Sequence, residues 1–268
     1  MTLLHVLAGA ALFGCTLASV AANDDAGGVA RSLAPSGRLR AAINFGNPVL
    51  AQRGANGEPR GVSVDLAREL ARRLGVPVDF VTFDAAGKVT DALRSDAWDV
   101  AFLARDPSRA ESIAFSAPYV VIEGTYLVRS DDARFQRVED LDRDGVRIAV
   151  ARGSAYDLFL TRSVAHAELV RYPSGVDAMN AFPRTGLDAV AGVKQALATS
   201  AQSRSDVRLV PGRFMQIEQA VAIPRAHESA AASAYVQAFV EEMKRSGFVA
   251  RALAASGQTE ATVAPPAP

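Results

Sequence analysis

Arg109 is a residue whose type could hold a small anion. A guanidinium offers two parallel N–H donors to a carboxylate and keeps its charge when partly desolvated. Arg109 follows the run Asp99-Val100-Ala101-Phe102-Leu103-Ala104 and a turn at Asp106-Pro107-Ser108, and Phe115-Ser116-Ala117-Pro118-Tyr119 begins six residues later. An arginine so placed either braces its turn or grips a ligand. Ser154 is a second candidate. Gly153-Ser154 opens a helix, whose free amides and positive end receive anions. As an N-cap, Ser154 would satisfy one of those amides, and the two uses are compatible. Tyr156, close by, either walls a pocket or belongs to the core. Glu123, with Thr125, interrupts an apolar run from Val120 to Val128. A buried carboxylate is costly without a partner, so Glu123 either faces a cationic group in a cleft or is solvated. Lys194 is either a contact for a second anion or a solvated helix lysine. Arg105 reads as a solvated cation.

These residues must be positioned by an α/β scaffold. Short apolar runs alternate with amphipathic stretches, the pattern of parallel strands joined by helices. Leu39–Phe45 reads as a first strand. Leu66, Leu70 and Leu74 share one face of a helix over Val64–Leu74, which Gly75 stops. Val78–Phe83 is a strand, Val89–Arg94 a short helix and Asp99–Leu103 a strand, in an order that needs right-handed crossovers. A second cycle follows. It has strands at Val146–Val150, Glu168–Tyr172 and Leu187–Val190, and helices from Ala155, from Ser174 or Val176, and over Gly192–Thr199. Glu218–Ile223 is a late strand. A last helix runs from about Glu228 to Lys244 and stops near Gly247. In such sheets ligands bind beyond the carboxyl ends of the strands. Those loops are Asn44–Pro48, Ala104–Arg109, Gly153–Tyr156 and Gly192–Lys194.

The bulk numbers exclude some classes. The chain has 268 residues, 49% hydrophobic and 22% charged, with zero net charge. That is an ordinary globular composition, with no basic surplus for nucleic acid or for a membrane surface. Residues 1–22 read as an export signal, with an apolar stretch from Leu3 to Leu17 and Ser19-Val20-Ala21 as a small-x-small cleavage site. The only cysteine, Cys15, lies within it. Leu12-Phe13-Gly14-Cys15 is alternatively a lipobox, which would lipidate Cys15. Asn23–Val29 reads as a polar leader. The tail at 258–268 is rich in Ala, Thr, Gly and Pro and is expected to be disordered.

The run ending at Arg109, with its Phe-Ser-x-Pro-Tyr sequel, resembles the type 2 periplasmic solute-binding proteins of family 3, which serve polar amino-acid ABC transporters. Leu39-Arg40, Arg60-Gly61-Val62-Ser63-Val64-Asp65-Leu66 and Arg147-Ile148-Ala149-Val150-Ala151-Arg152-Gly153-Ser154 resemble further landmarks in the same order. The match covers Gly37 to Gly257. The resemblance implies two lobes, each a largely parallel sheet flanked by helices, joined by two crossover strands as a hinge. Lobe 1 would comprise 36–122 and 219–257, and lobe 2 127–213, with crossings near Val121–Tyr126 and Phe214–Ala220. It implies an exported, periplasmic, monomeric protein that binds a small carboxylate-bearing solute and delivers it to a membrane permease, with no cofactor and no metal.

In the family the Arg109 position grips the ligand's carboxylate. Asn44 and Phe45 stand where relatives present a polar or acidic residue and a stacking aromatic; Phe45 is otherwise core. Two departures stand out. The loop before Arg109 is shorter than in typical relatives, so Phe102 to Ala104 replace hydroxyl and glycine positions, and Asp106 stands where Thr is common. Val193 occupies the place of the Asp that receives an α-ammonium. The resemblance therefore implies either a carboxylate without an α-ammonium or an amine met by Glu123. Some proteins of this fold are periplasmic lyases. Here His166 and His227 are the only histidines after the signal, and H-E-x-x-H and G-x-S-x-G patterns are absent. A carboxylate such as Glu123 would suffice as acid or base. A third reading is presentation of the closed form to a membrane sensor.

Overall fold

The computed structural model describes residues 27–202 and 204–268. The expected export signal and Cys15 lie outside the described residues. The elements in order are α1 (27–33), β1 (Leu39–Asn44), β2 (Gln52–Arg53), β3 (Pro59–Arg60), α2 (Val62–Leu74), β4 (Val78–Phe83), α3 (Ala86–Asp91), β5 (Val100–Ala104), α4 (Pro107–Ala110), β6 (Ile113–Arg129), β7 (Arg147–Ala151), α5 (Ala155–Ser163), β8 (Glu168–Tyr172), α6 (Gly175–Ala181), β9 (Ala189–Val193), α7 (Lys194–Gln202), β10 (Val207–Leu209), β11 (Met215–Pro224), α8 (Ala230–Arg245), α9 (Phe248–Ala255) and β12 (Thr262–Val263).

The expected α/β architecture forms. β1 pairs β4 and β5 in parallel, and β7 pairs β8 and β9 in parallel. The long strands β6 and β11 pair antiparallel to each other and connect the two sets: β11 joins β5, and β6 joins β9. The apolar interior divides accordingly. Leu39, Ile43, Leu66, Leu70, Val100, Val221, Val236 and Phe239 belong to one core, and Tyr126, Ile148, Val150 and Leu160 to another beyond the crossing. α2 shows how sequence makes an element here. Its leucine stripe buries Leu66 and Leu70, and Gly75 closes it at φ 69° in the left-handed region that glycine tolerates best.

Four stretches differ from the sequence expectation. Gly192 and Val193 extend β9 instead of opening a helix, because they pair with Thr125 and Gly124 of β6. Gly247, at φ 73°, ends α8 but leads into α9, which buries Val249 and Leu253. The tail expected to be disordered carries β12, and the 27–29 part of the expected leader is helical. β12 pairs Thr262 and Val263 with Val121 and Val120, Ala264 N donates to Tyr119 O at 3.1 Å, and Lys244 Nζ donates to Pro265 O at 2.7 Å. The edge of β6 offers unpaired backbone there, and a weakly apolar tail satisfies it. Among the described residues, no helix is long and apolar enough to cross a membrane.

Candidate functional site

The carboxyl ends of all six parallel strands converge on one cavity. Asn44 and Asn47 follow β1, Asp84 to Ala86 follow β4, and Ala104 ends β5. Ala151 and Ser154 follow β7, Gly175 follows β8, and Val193 ends β9. Phe102, Ile217 and Gln219 close the floor. The cavity measures about 40 Å³, room for little more than water.

Arg109 sits at the seam. Asp106 caps α4 by accepting from Ser108 N at 2.9 Å, and Pro107 starts its first turn. This short turn aims Arg109 inward, where it is 3% exposed. Its Nη1 donates to Ala104 O at 2.9 Å, and its Nη2 reaches across to Gly153 O at 2.8 Å. Its Nε is buried without a partner. Burial pulls the guanidinium down to about 10, with Asp106 acting the other way, so it remains a cation at neutral pH. A buried cation whose hydrogen bonds go only to carbonyls can still receive an anion.

The opposite wall is the start of α5. Ser154 caps it, accepting from Asp157 N at 3.0 Å, and the Asp157 carboxylate accepts from Gly153 N at 2.8 Å. That leaves the amides of Ala155 and Tyr156 as the helix's open donors. Tyr156 is 9% exposed, and burial pushes its phenol up to about 12. Gly153 adopts φ 67° and meets Gly87 of α3 so closely that a Cβ on Gly87 would lie 2.5 Å from Arg152 O. The same seam carries an ion pair: Arg162 of α5 reaches Asp106 at 2.8 Å, with the Asp106 side chain only 4% exposed. Burial alone would raise that carboxyl, but Arg162 and Ser108 more than offset it and hold it below the ordinary range.

Of the nine residues singled out from sequence, Asn44, Ala104, Arg109, Ser154 and Tyr156 line this cavity, and so does Val193. Four do not. Phe45 packs against the first core with the Arg53 guanidinium 4.1 Å above its ring, so its faces are already taken. Asp106 turns to its cap and to Arg162. Glu123 binds Lys194 Nζ at 2.8 Å and Arg213 Nη1 at 2.6 Å, and Glu123 and Lys194 lie with Gln216 and Thr262 in a separate groove. Glu123 and Lys194 thereby pair with each other, and neither lines this cavity. Sequence reasoning missed Asn47, Asp84 and Gln219. Asn47 fell inside the first strand-end loop, and Gln219 was a polar residue within an apolar strand. Among the described residues, no group of three or more His, Cys, Asp or Glu could hold a metal ion.

Comparison with known proteins matches residues 39–255 to the bacterial extracellular solute-binding proteins, family 3. The chain is 24% identical over 218 residues to the glutamate-binding protein GluB of Corynebacterium efficiens, covering 78% of this chain and 71% of that protein. It is 28% identical over 144 residues to a cyclohexadienyl dehydratase of Pseudomonas aeruginosa, a match spanning about half of each, 53% and 53%. The solute receptor for L-cysteine of Neisseria gonorrhoeae superposes with a TM-score of 0.73 at 22% identity, covering 85% of this chain and 92% of that one.

Proposed function

Since the chain belongs to the bacterial extracellular solute-binding proteins of family 3, we propose that it is the exported, periplasmic solute-binding component of an ABC transporter, capturing a small carboxylate-bearing solute between its halves. Residues 36–122 with 219–257 form lobe 1 and 127–213 lobe 2, with β6 and β11 as the hinge. The observation that carries the reading is Arg109, buried at the convergence of six strand ends with an unspent Nε–H and no bonded carboxylate. The solute's carboxylate replaces the Gly153 carbonyl on Nη2 and takes up Nε. Closure then excludes water, which strengthens these polar contacts, and presents the closed form to a membrane permease.

The cavity favours an acid without an α-ammonium. Asp84 is its only lining carboxylate. Lys88 binds it at 2.7 Å and holds it below its usual range. An ammonium beside Val193 would find no counter-charge. The dehydratase relative gives a second reading, a lyase, but an acid catalyst needs a carboxyl poised to give up a proton near neutrality, and the Lys88-bound Asp84 is the wrong kind. We therefore favour binding over catalysis.

The test is a thermal-shift screen against keto acids, hydroxy acids, dicarboxylates, aromatic acids and L-amino acids, since a ligand of the folded state raises its melting point. Arg109→Gln should cost about 2–4 kcal/mol of affinity for the best acid, measured by calorimetry. Undiminished binding in that variant would remove Arg109 from the site. A best hit among ordinary L-amino acids would overturn the ammonium argument.

A further inference from the structure

We propose that Asn47 and Gln219 form a second polar subsite that reads an uncharged hydrogen-bonding group of the solute, so that the solute is a carboxylic acid bearing a carboxamide or hydroxyl. The inference rests on the reading of Arg109 as the carboxylate's partner. Both amides line the cavity, at 6% and 4% exposure. Neither makes a side-chain hydrogen bond to any described residue, and Asn47 Oδ1 is fully enclosed without a partner.

Buried amides are almost always hydrogen-bonded, so the enclosed Asn47 Oδ1 calls for a partner, and Gln219, without a side-chain bond to any described residue, lines the same cavity. Neither is needed by the fold. The backbone of Asn47 alone builds its turn, with its N–H on Asn44 O and its carbonyl accepting from Leu50 and Ala51. Asn44 differs, since its Oδ1 accepts from Gly46 N at 2.9 Å. Gln219 stands on β11 between Glu218 and the buried run Ala220-Val221-Ala222-Ile223, where an aliphatic side chain would cost no hydrogen bond. Its position is informative. Gln219 pairs with Ala104 of β5, whose carbonyl holds Arg109 Nη1, and Gln219 and Arg109 line the same cavity.

The chemistry of the two groups defines what they read. An amide both donates and accepts and carries no charge, so it matches a carboxamide or hydroxyl and gives no counter-charge to an ammonium. Arg109 is the only cationic side chain lining the cavity, and the only carboxylate, Asp84, is spent on Lys88. Phe102, Val193 and Ile217 supply the remaining, apolar wall. When the halves part to admit a solute, its polar group reaches these amides and supplies the bond that Asn47 Oδ1 lacks.

Calorimetry on the full chain tests this with matched probes: succinamate against butanoate, and lactate against propanoate. The wild-type protein should prefer the polar member of at least one pair by tenfold or more. Gln219→Leu, nearly isosteric, and Asn47→Ala should each reduce that ratio toward one. Circular dichroism and melting temperature confirm folding of each variant. A wild-type ratio near one in both pairs, or a ratio that survives in both variants, overturns the subsite. If the acids bind without preference and Arg109→Gln abolishes binding, the carboxylate reading stands and the subsite falls alone. If none of the four binds while another acid of the screen does, the subsite falls alone; if no carboxylic acid binds, both fall together.

Discussion

Gly87→Ala should open the cleft without unfolding the protein. Gly87 lies in α3 with ordinary negative φ, so alanine meets no backbone strain there. Within a helix alanine is favoured over glycine by up to about 1 kcal/mol. The added methyl, however, would stand 2.5 Å from Arg152 O across the seam, against an ordinary contact of 3.4 Å or more. The halves must therefore part by about 0.9 Å. That stretches the 2.8 Å bond from Arg109 to Gly153 O to roughly 3.7 Å, beyond hydrogen-bond range. The 2.8 Å pair of Asp106 with Arg162 lengthens as well. Losing one charge-assisted bond and weakening another, half-exposed one removes on the order of 2 kcal/mol from the closed form. That is about a 30-fold fall in its population relative to the open form. Small-angle scattering should give a larger radius of gyration for the unliganded variant than for wild type. Calorimetry with the tightest acid from the screen should show binding weaker by about the same factor, while the melting temperature holds or rises. An unchanged scattering profile together with affinity within threefold of wild type would refute the claim that this glycine contact permits closure.

The other predictions concern the seam, the tail and acid stability. Arg162→Ala should leave Asp106 buried without its cation, so its carboxyl titrates at higher pH than in wild type by NMR, and ligand affinity falls by about tenfold; an unmoved titration would mean that the pair does not form in solution. Truncation before Thr262 should remove β12 from β6 and uncover Tyr119 O, lowering stability in urea by about 1–3 kcal/mol; an equal midpoint would make the strand dispensable. Glu69 is held down to about 2 by Arg72, against burial and with help from Arg73. Its folded value lies below its ordinary 4.5, so its contribution is complete above that pH and is lost as pH falls toward 2. Melting temperature should decline over that window, and Glu69→Gln should flatten the decline.

Sequence alone determined what local pattern can encode. The leucine spacing of α2 and the glycine after it specify a helix and its end, because both signals act within a few turns. β4 and β8 fall where apolar runs with turn signals on either side place them. Arg109 was legible from the turn before it and the aromatic segment after it, and Ser154 from its place as a cap. Partner choice was not legible, because it depends on what the chain brings close from far away. Asp106 reads as a site residue until Arg162, on the other side of the cleft, takes its carboxylate. Glu123 reads as a lone acid in an apolar run until β9 and the segment before β11 deliver Lys194 and Arg213 to it. The tail reads as featureless until β6 offers an unpaired edge. Asn47 and Gln219 are unremarked polar residues until the strand ends converge on one cavity that both of them line, with Asn47 Oδ1 enclosed and without a partner. Periodicity fixes which faces are apolar. Only the folded chain decides which polar groups find each other and which are left for a solute.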